Sequence, residues 1–370
     1  MSVVANFRWW HAIAAIAVVV VVTAAVAADA TQARSRVASP LKADVDELFK
    51  SYNTITGRIG DSWWQSAVAL SSLETYEQET GDRSYESAIP VSFAYYAHTN
   101  FENAYNDDTG WWGLAWLQAY ELTRSRRLTA SRLPRASDYL AMAETVADHI
   151  HKFWDGRCGG GVWWTTARTY KNAITNEIFL ELTAWLHNSI QGDTKYLRWA
   201  QAEWAWFKSS GMINDSGLVN DGLDGRCANN HYVTWTYNQG VILAGLARLY
   251  QATGNTGQLR EAEAIAQAAI SHLTVRGILH EPCTGPGCGP NPGDVQSFKG
   301  IFTRDLKVLA VTARTRQFNS FFTSQARAVE DRDTDADSHL GFLWHGPIVG
   351  VTPYSEASAL DAVVAAINLP

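Results

Sequence analysis

Apolar residues recur at three- and four-residue spacing in one segment of the chain after another, while runs with strand alternation are few and short. The pattern predicts an all-helical fold. Segments of helical length bounded by Gly, Pro, Asn or Asp fall near 41–56, 63–80, 84–97, 109–125, 136–153 and 174–190. A second set falls near 194–208, 235–253, 257–274, 299–313, 315–329 and 355–367. Twelve helices suggest six pairs. A loose repeat supports the pairing: Gly81-Asp82 with Tyr85, Gly192-Asp193 with Tyr196, and Gly254-Asn255 with Leu259 each close one helix and open the next. The glycine takes the left-handed conformation that stops a helix, and the Asp or Asn caps its successor. A fourth copy, Leu122-Thr123 leading to Tyr139-Leu140, is interrupted by an Arg-rich insertion at 124–135. This recurrence marks helical hairpins stacked in a ring or solenoid. Long Gly-rich loops at 155–164, 214–231 and 281–297 stand between them, and loops of this length in a compact domain are usually functional. No linker divides residues 29–370, which read as one domain.

The first 28 residues read as a signal peptide, with Arg8 ahead of an apolar run at 12–22 and Ala25-x-Ala27 as the cleavage box. The competing reading is an uncleaved anchor, since 9–28 is just long enough to span a bilayer. Export as a soluble, secreted monomer without a stable membrane partner is the expectation. The tail after Asp361 is too short for a glycolipid-anchor signal, which favours a diffusible protein. An exported chain keeps disulfides, and four cysteines allow three pairings. Cys283 and Cys288 bracket a short Gly/Pro loop that closes locally, which leaves Cys158 for Cys227. A zinc site is the alternative, but one C-x4-C without a second ligand pair supports it weakly, and no metal is assigned.

Composition narrows the function. The net charge of −7, with no basic block, excludes a protein built to track nucleic acid. Sixteen tryptophans are the outlier. Trp and Tyr offer a flat apolar face with a polar edge, which suits a pyranose ring as well as a helical core.

The chemistry concentrates in Tyr105-Asn106-Asp107-Asp108-Thr109-Gly110-Trp111-Trp112. Two adjacent carboxylates precede two tryptophans at a helix entrance. Glycoside cleavage needs one carboxylic acid to protonate the leaving oxygen and one carboxylate to attack or to activate water. Neighbouring carboxyls raise each other's cost of ionising, while a helix N-terminus keeps one charged. The plain alternative is an N-cap with a solvated neighbour. No Gly-x-Ser-x-Gly elbow, P-loop, His-Glu-x-x-His or dinucleotide fingerprint offers a rival scheme. Further candidates for a groove are Trp164, Asn172 with Asn176, Asp221, Trp235, Tyr237, Asn238, Lys299 and Arg304. Asn172 and Asn176, four apart, suit a bridge between packed helices equally well, and Arg304 a carboxylate in the core.

Taken together these pieces resemble glycoside hydrolase family 76, the endo-alpha-1,6-mannanases. The resemblance rests on Trp63-Trp64, 105–112, 159–164, Tyr170-Lys171-Asn172 with Asn176, 217–221, 235–240, and Phe298-Lys299-Gly300 with Arg304. It implies an (α/α)6 barrel, in agreement with twelve helices. It implies retaining hydrolysis of alpha-1,6-linked mannan without a metal or organic cofactor, Asp107 acting as nucleophile and Asp108 as acid/base. Trp111, Trp112, Trp164, Asn172, Asp221, Trp235, Tyr237, Asn238 and Arg304 are the expected substrate contacts. Adjacent residues on a helix diverge by about 100°. The aspartates are therefore expected just before regular helix, with Asn106 and Gly110 permitting a turn. Rival functions are transfer of glycan in a cell wall on the same aspartates and non-catalytic mannan binding. An epimerase would need paired histidines, which this chain lacks near its tryptophans.

Overall fold

The computed structural model describes residues 41–125, 134–282 and 293–370. The leader at 1–28, Cys283, Cys288 and most of the Arg-rich insertion lie outside the described residues. The chain divides into two units, Met1–Ala43 and Asp44–Pro370, and the second contains the site.

Twelve helices are present among the described residues: α1 (41–49), α2 (Trp63–Thr80), α3 (Ala88–Tyr96), α4 (Asn106–Ser125), α5 (Ala136–His151) and α6 (Ala173–Ser189). They continue with α7 (Lys195–Ser209), α8 (Thr236–Thr253), α9 (Thr256–His272), α10 (Phe298–Ala313), α11 (Asn319–Arg332) and α12 (Pro353–Ala365). One antiparallel hairpin, β1 (Thr274–Val275) and β2 (Ile278–Leu279), pairs Thr274 with Leu279 and Val275 with Ile278. The repeat signals behave as expected. Gly81 and Gly254 take φ of 77° and 71° at the ends of α2 and α8, and Asn255 accepts from the Gly257 N–H to cap α9. α1 ends earlier than its apolar pattern because the Asn53 side chain accepts from the N–H groups of Ile55 and Thr56 and turns the chain.

The even-numbered helices form a closed ring: α2 packs on α4, α4 on α6, α6 on α8, α8 on α10, α10 on α12, and α12 on α2. Odd-numbered helices clothe it, α5 against α4 and α6, α7 against α6, α9 against α8, and α11 against α12. The sequence encodes the difference. Outer helices such as α5 and α9 bury one stripe each, whereas α4, α6 and α8 bury residues all round. Glycines let the inner helices touch. A Cβ on Gly110 would lie 2.4 Å from Ile178 on α6, and one on Gly240 would lie 2.5 Å from the Phe302 Cα on α10. Gly110 thus serves helix packing inside α4 rather than a turn before it. Because each outer helix carries the chain back, the inner N-termini share one end of the barrel and the inner C-termini the other.

Candidate active site

The start of α4 is fixed by the loop at 155–165. Tyr105 pairs with Thr165 as an isolated bridge, the Asn106 N–H donates to the Trp164 carbonyl at 2.8 Å, and Asn106 Nδ2 donates to the Trp163 carbonyl. This pairing starts the helix three residues earlier than its apolar pattern. Asp107 and Asp108 therefore lie inside the first turn, not ahead of it. Their divergence gives them separate surroundings. Asp107 Oδ2 accepts from Trp164 Nε1 at 3.0 Å, and its Oδ1 from the Asp108 N–H at 3.1 Å. Asp108 Oδ2 accepts from Asn103 Nδ2 at 2.7 Å. Asn103 cannot turn its amide, because its Oδ1 already holds the Tyr105 N–H at 2.8 Å.

Burial, and then the charge of Asp108, push the Asp107 carboxyl well above the usual carboxylate range. The Asp108 N–H and Trp164 pull the other way. Burial lifts Asp108 to about 6, against the Asn103 hydrogen bond and with help from the charge of Asp294. Both carboxyls are thus harder to ionise than a free aspartate, Asp107 more so than Asp108. The two N–H donors at the positive end of α4 favour the charged form of Asp107 and act against that rise.

The same end of the barrel gathers further groups. The Tyr170 hydroxyl donates to Asp221 Oδ2 at 2.5 Å and accepts from Asn230 Nδ2 at 2.8 Å. Trp164 lies between Tyr105 and Tyr170, with centroids at 5.2 and 6.0 Å. Gly222 lets the chain pass Tyr170, since a Cβ there would meet its hydroxyl at 2.4 Å. Tyr237 stacks on Phe298 at 3.8 Å, with Trp235 edge-on to the same ring. Burial, then the charges of Asp221 and Asp107, raise the Tyr237 hydroxyl well above its ordinary value, which places the three groups in one field. Trp64 donates its indole N–H to Asp294 at 3.1 Å. A cavity of about 500 Å³ lined by Trp163, Tyr170, Asn230 and Tyr232 opens beside these groups. The Cys158–Cys227 disulfide ties the loop bearing Trp164 to the loop bearing Asp221, the pairing expected from sequence.

Other expected contacts are enclosed in packing or lie deeper in the barrel. Trp112 is fully enclosed among Trp63, Phe101 and Trp116, because its face of α4 turns to the outer layer. Trp111 is 3% exposed and stacks on Trp64. Asn238 is fully buried, and Asn172 is 5% exposed at the α6 N-terminus. Asn176 clamps Val162 and the Asn172 carbonyl, so it bridges a loop to its own helix. Arg304 pairs with Asp361 at 3.2 Å, nearly two turns into α10 and in the wall of a second cavity. Lys299 is buried over Trp344 and donates to the Phe342 carbonyl. Sequence reading had no handle on Asn103 or Asn230, which sit in irregular segments, or on Asp294, which sits in a single 3-10 turn at Gly293–Ser297, because none of them carries a spacing signal.

The chain matches the model of Glycosyl hydrolase family 76 over residues 30–369. It is 29% identical over 269 residues to a putative mannan endo-1,6-alpha-mannosidase of Schizosaccharomyces pombe. It is 32% identical over 254 residues to the mannan endo-1,6-alpha-mannosidase DFG5 of Saccharomyces cerevisiae. These stretches cover 68% and 65% of this chain but 59% and 54% of the relatives, so the chain spans little more than half of their length. Among solved structures, the GH76A alpha-1,6-mannanase of Salegentibacter sp. HEL1_6 is similar with a TM-score of 0.75 and 24% identity, over 88% of this chain and 98% of that one. An inactive variant of that mannanase, with two consecutive aspartates replaced by asparagine, is in complex with alpha-1,6-mannotriose. Dfg5 from Chaetomium thermophilum, in complex with glucosamine, has a TM-score of 0.71 at 21% identity, over 88% of each chain.

Proposed function

The chain belongs to glycosyl hydrolase family 76, and on that premise we propose that it cleaves alpha-1,6-mannosidic linkages in mannan by double displacement on Asp107 and Asp108. The observation that carries the reading is the pair of carboxylates in the first turn of α4, each with its own donors. Asp107, held by the Trp164 and Asp108 N–H groups, attacks the anomeric carbon. Asp108, held by Asn103, protonates the departing oxygen and then takes a proton from the water that releases the mannosyl-enzyme. Asp221, Trp164, Trp235 and Tyr237 line the approach and suit hydroxyl and ring-face contacts. The inactive mannanase variant with consecutive aspartates replaced supports this assignment. The protein acts outside the cell as a monomer.

The test is incubation of the purified chain with unbranched alpha-1,6-mannan while products are followed by size. Short mannan oligosaccharides are expected from the natural chain. Asp108→Asn should lose roughly 10²–10⁴-fold on mannan but much less on a mannoside with a good leaving group. Equal losses on both substrates would remove Asp108 from the acid/base role. The glucosamine complex of a relative favours a second reading, transfer of the mannosyl group to a glycan acceptor. Products longer than the substrate, formed only with acceptor present, would select it.

A further inference from the structure

A cavity of about 540 Å³ reaches from the last turns of the inner helices into the middle of the ring, as far as Glu181, Arg304 and Trp111 in its wall. That volume lies within the range of small-molecule sites. Two ionisable side chains in the wall, Glu181 and Arg248, act on each other through their charges without a hydrogen bond or ion pair between them. Glu181 on α6 is 4% exposed, and among the described residues it makes neither a hydrogen bond nor an ion pair. Arg248 on α8 lies over the Trp185 ring at 3.8 Å, pairs with no carboxylate among the described residues, and leaves Nε without an acceptor. Arg304 in the same wall differs, because Asp361 takes its charge. Gly245 brings the two helices together at this level, since a Cβ there would lie 3.0 Å from Leu180 and 3.4 Å from the Glu181 nitrogen. Closer to solvent the wall is neutral and amphoteric: Gln118 donates to Gln78 at 2.9 Å, and Gln251 to Thr312 at 3.2 Å.

These groups discriminate between ligand classes. An anion would meet Arg248 but also Glu181, Asp305 and Asp361. A cation would meet Glu181 but also Arg248, Arg304 and Lys307. A neutral molecule rich in hydroxyls gives a proton to one group and a lone pair to the other without a net charge to desolvate. We propose that this cavity is a second binding site, taking a neutral saccharide whose hydroxyls bridge the Glu181 carboxyl and the Arg248 guanidinium. The site uses no residue of the Asp107–Asp108 cleft and stands whether or not mannan is the substrate there.

Calorimetric titration of the Asp107→Asn chain with alpha-1,6-mannobiose tests it, beside the same chain carrying Gln251→Trp. Gln251 is exposed on the rim, so a tryptophan there plugs the mouth without touching the buried charges. Two binding events are expected, one of them weakened about tenfold or more by Gln251→Trp, a loss of about 1.4 kcal/mol. Arg248→Met should remove the same event. Gln251→Trp in the otherwise natural chain should leave turnover of mannan within about twofold. Two events that both survive Gln251→Trp, or one event that survives it, would overturn the second site. Binding of glycine at the Gln251-sensitive site with none of mannobiose would overturn the saccharide class in favour of a zwitterion. A single event abolished by Gln251→Trp would sustain this site while removing the cleft as the mannan site, so the two readings fail separately.

Discussion

The two ends of the helix ring are built from the same six helices and do opposite things with charge. At the N-terminal mouth, carboxylates stand where free N–H groups and the positive ends of helices point, and loops supply the remaining donors: Trp164 and Asn103 reach Asp107 and Asp108 from outside the ring. Toward the C-terminal mouth the helices end in carbonyls, and the charges in the wall are answered by other side chains, in direct contact as Arg304 is by Asp361, or only at longer range, as Glu181 is by Arg248. On the function proposed above, one mouth suits a reaction in which charge develops. The other is poised to be filled. The helix direction sets this asymmetry, and the long loops at 155–164 and 214–231 are spent on the N-terminal side.

The largest effect expected from breaking this contrast is on turnover. Asp107→Asn removes the proposed nucleophile with almost no change of shape, so cleavage of mannan should fall by about 10⁴-fold or more, while calorimetric binding at the cleft persists. Activity close to that of the natural chain would return Asp107 to the role of a helix cap. The next largest effect is on stability. Replacing Cys158 and Cys227 by serine frees a bridge across 69 residues, worth up to about 4 kcal/mol in chain entropy. Denaturant unfolding should register that loss, and mannan turnover should fail at lower denaturant than the helical signal does, because the bridge joins loops of one mouth only. Coincident loss of both would mean that the bridge holds the barrel as a whole. A smaller effect belongs to Trp164→Phe, which keeps the ring but deletes the donor to Asp107. Losing a hydrogen bond to a charged group costs about 1.5–3 kcal/mol, or roughly 10–100-fold in kcat/KM. Its sign shows in the pH profile. Without that donor the Asp107 carboxylate is harder to form, so the acid limb should move to higher pH, and an unmoved limb would mean that the charge does not reside on Asp107.

How much of this was legible in the sequence follows the same division. Helical periodicity is set by burial around each helix, so all twelve segments could be read. Their ends slipped by several residues, at Asn53 and Tyr105 where a local hydrogen bond overrode the pattern, and at the starts of α3 and α11, which begin at Ala88 and Asn319 rather than at 84 and 315. The adjacent aspartates were visible because two carboxyls beside tryptophans are chemically conspicuous. What those tryptophans do was not. Neighbours on a helix point about 100° apart, and composition does not say which faces the axis: Trp112 went to the outer packing layer and Trp111 to the wall of the far cavity. Asn238 and Arg304 look like sugar ligands by residue type. Asn238 lies enclosed one residue from the useful Tyr237, and Arg304 lies well below its mouth, nearly two turns into α10. Asn103 was invisible because its role depends on a backbone N–H that locks its amide, a constraint no spacing rule records.

The smallest expected effect probes the far mouth without any ligand. Burial lifts the Glu181 carboxyl from its ordinary 4.5 to about 7, with Arg248 and then Arg304 acting against the shift. Below about pH 4.5 the group is protonated in both folded and unfolded chains and contributes nothing. As pH rises toward about 7 the unfolded chain releases that proton while the folded chain keeps it, so stability falls, and above about 7 the penalty is constant. Glu181→Gln has no proton to lose. Its stability relative to the natural chain should therefore rise between pH 4.5 and 8, by on the order of 1 kcal/mol once water in the cavity is allowed for, read by urea unfolding at each pH. A difference that does not change with pH would mean that the Glu181 carboxylate is as well solvated in the cavity as in the unfolded chain. The contrast between a mouth rich in donors and a mouth short of them would then narrow to the Asp107–Asp108 end alone.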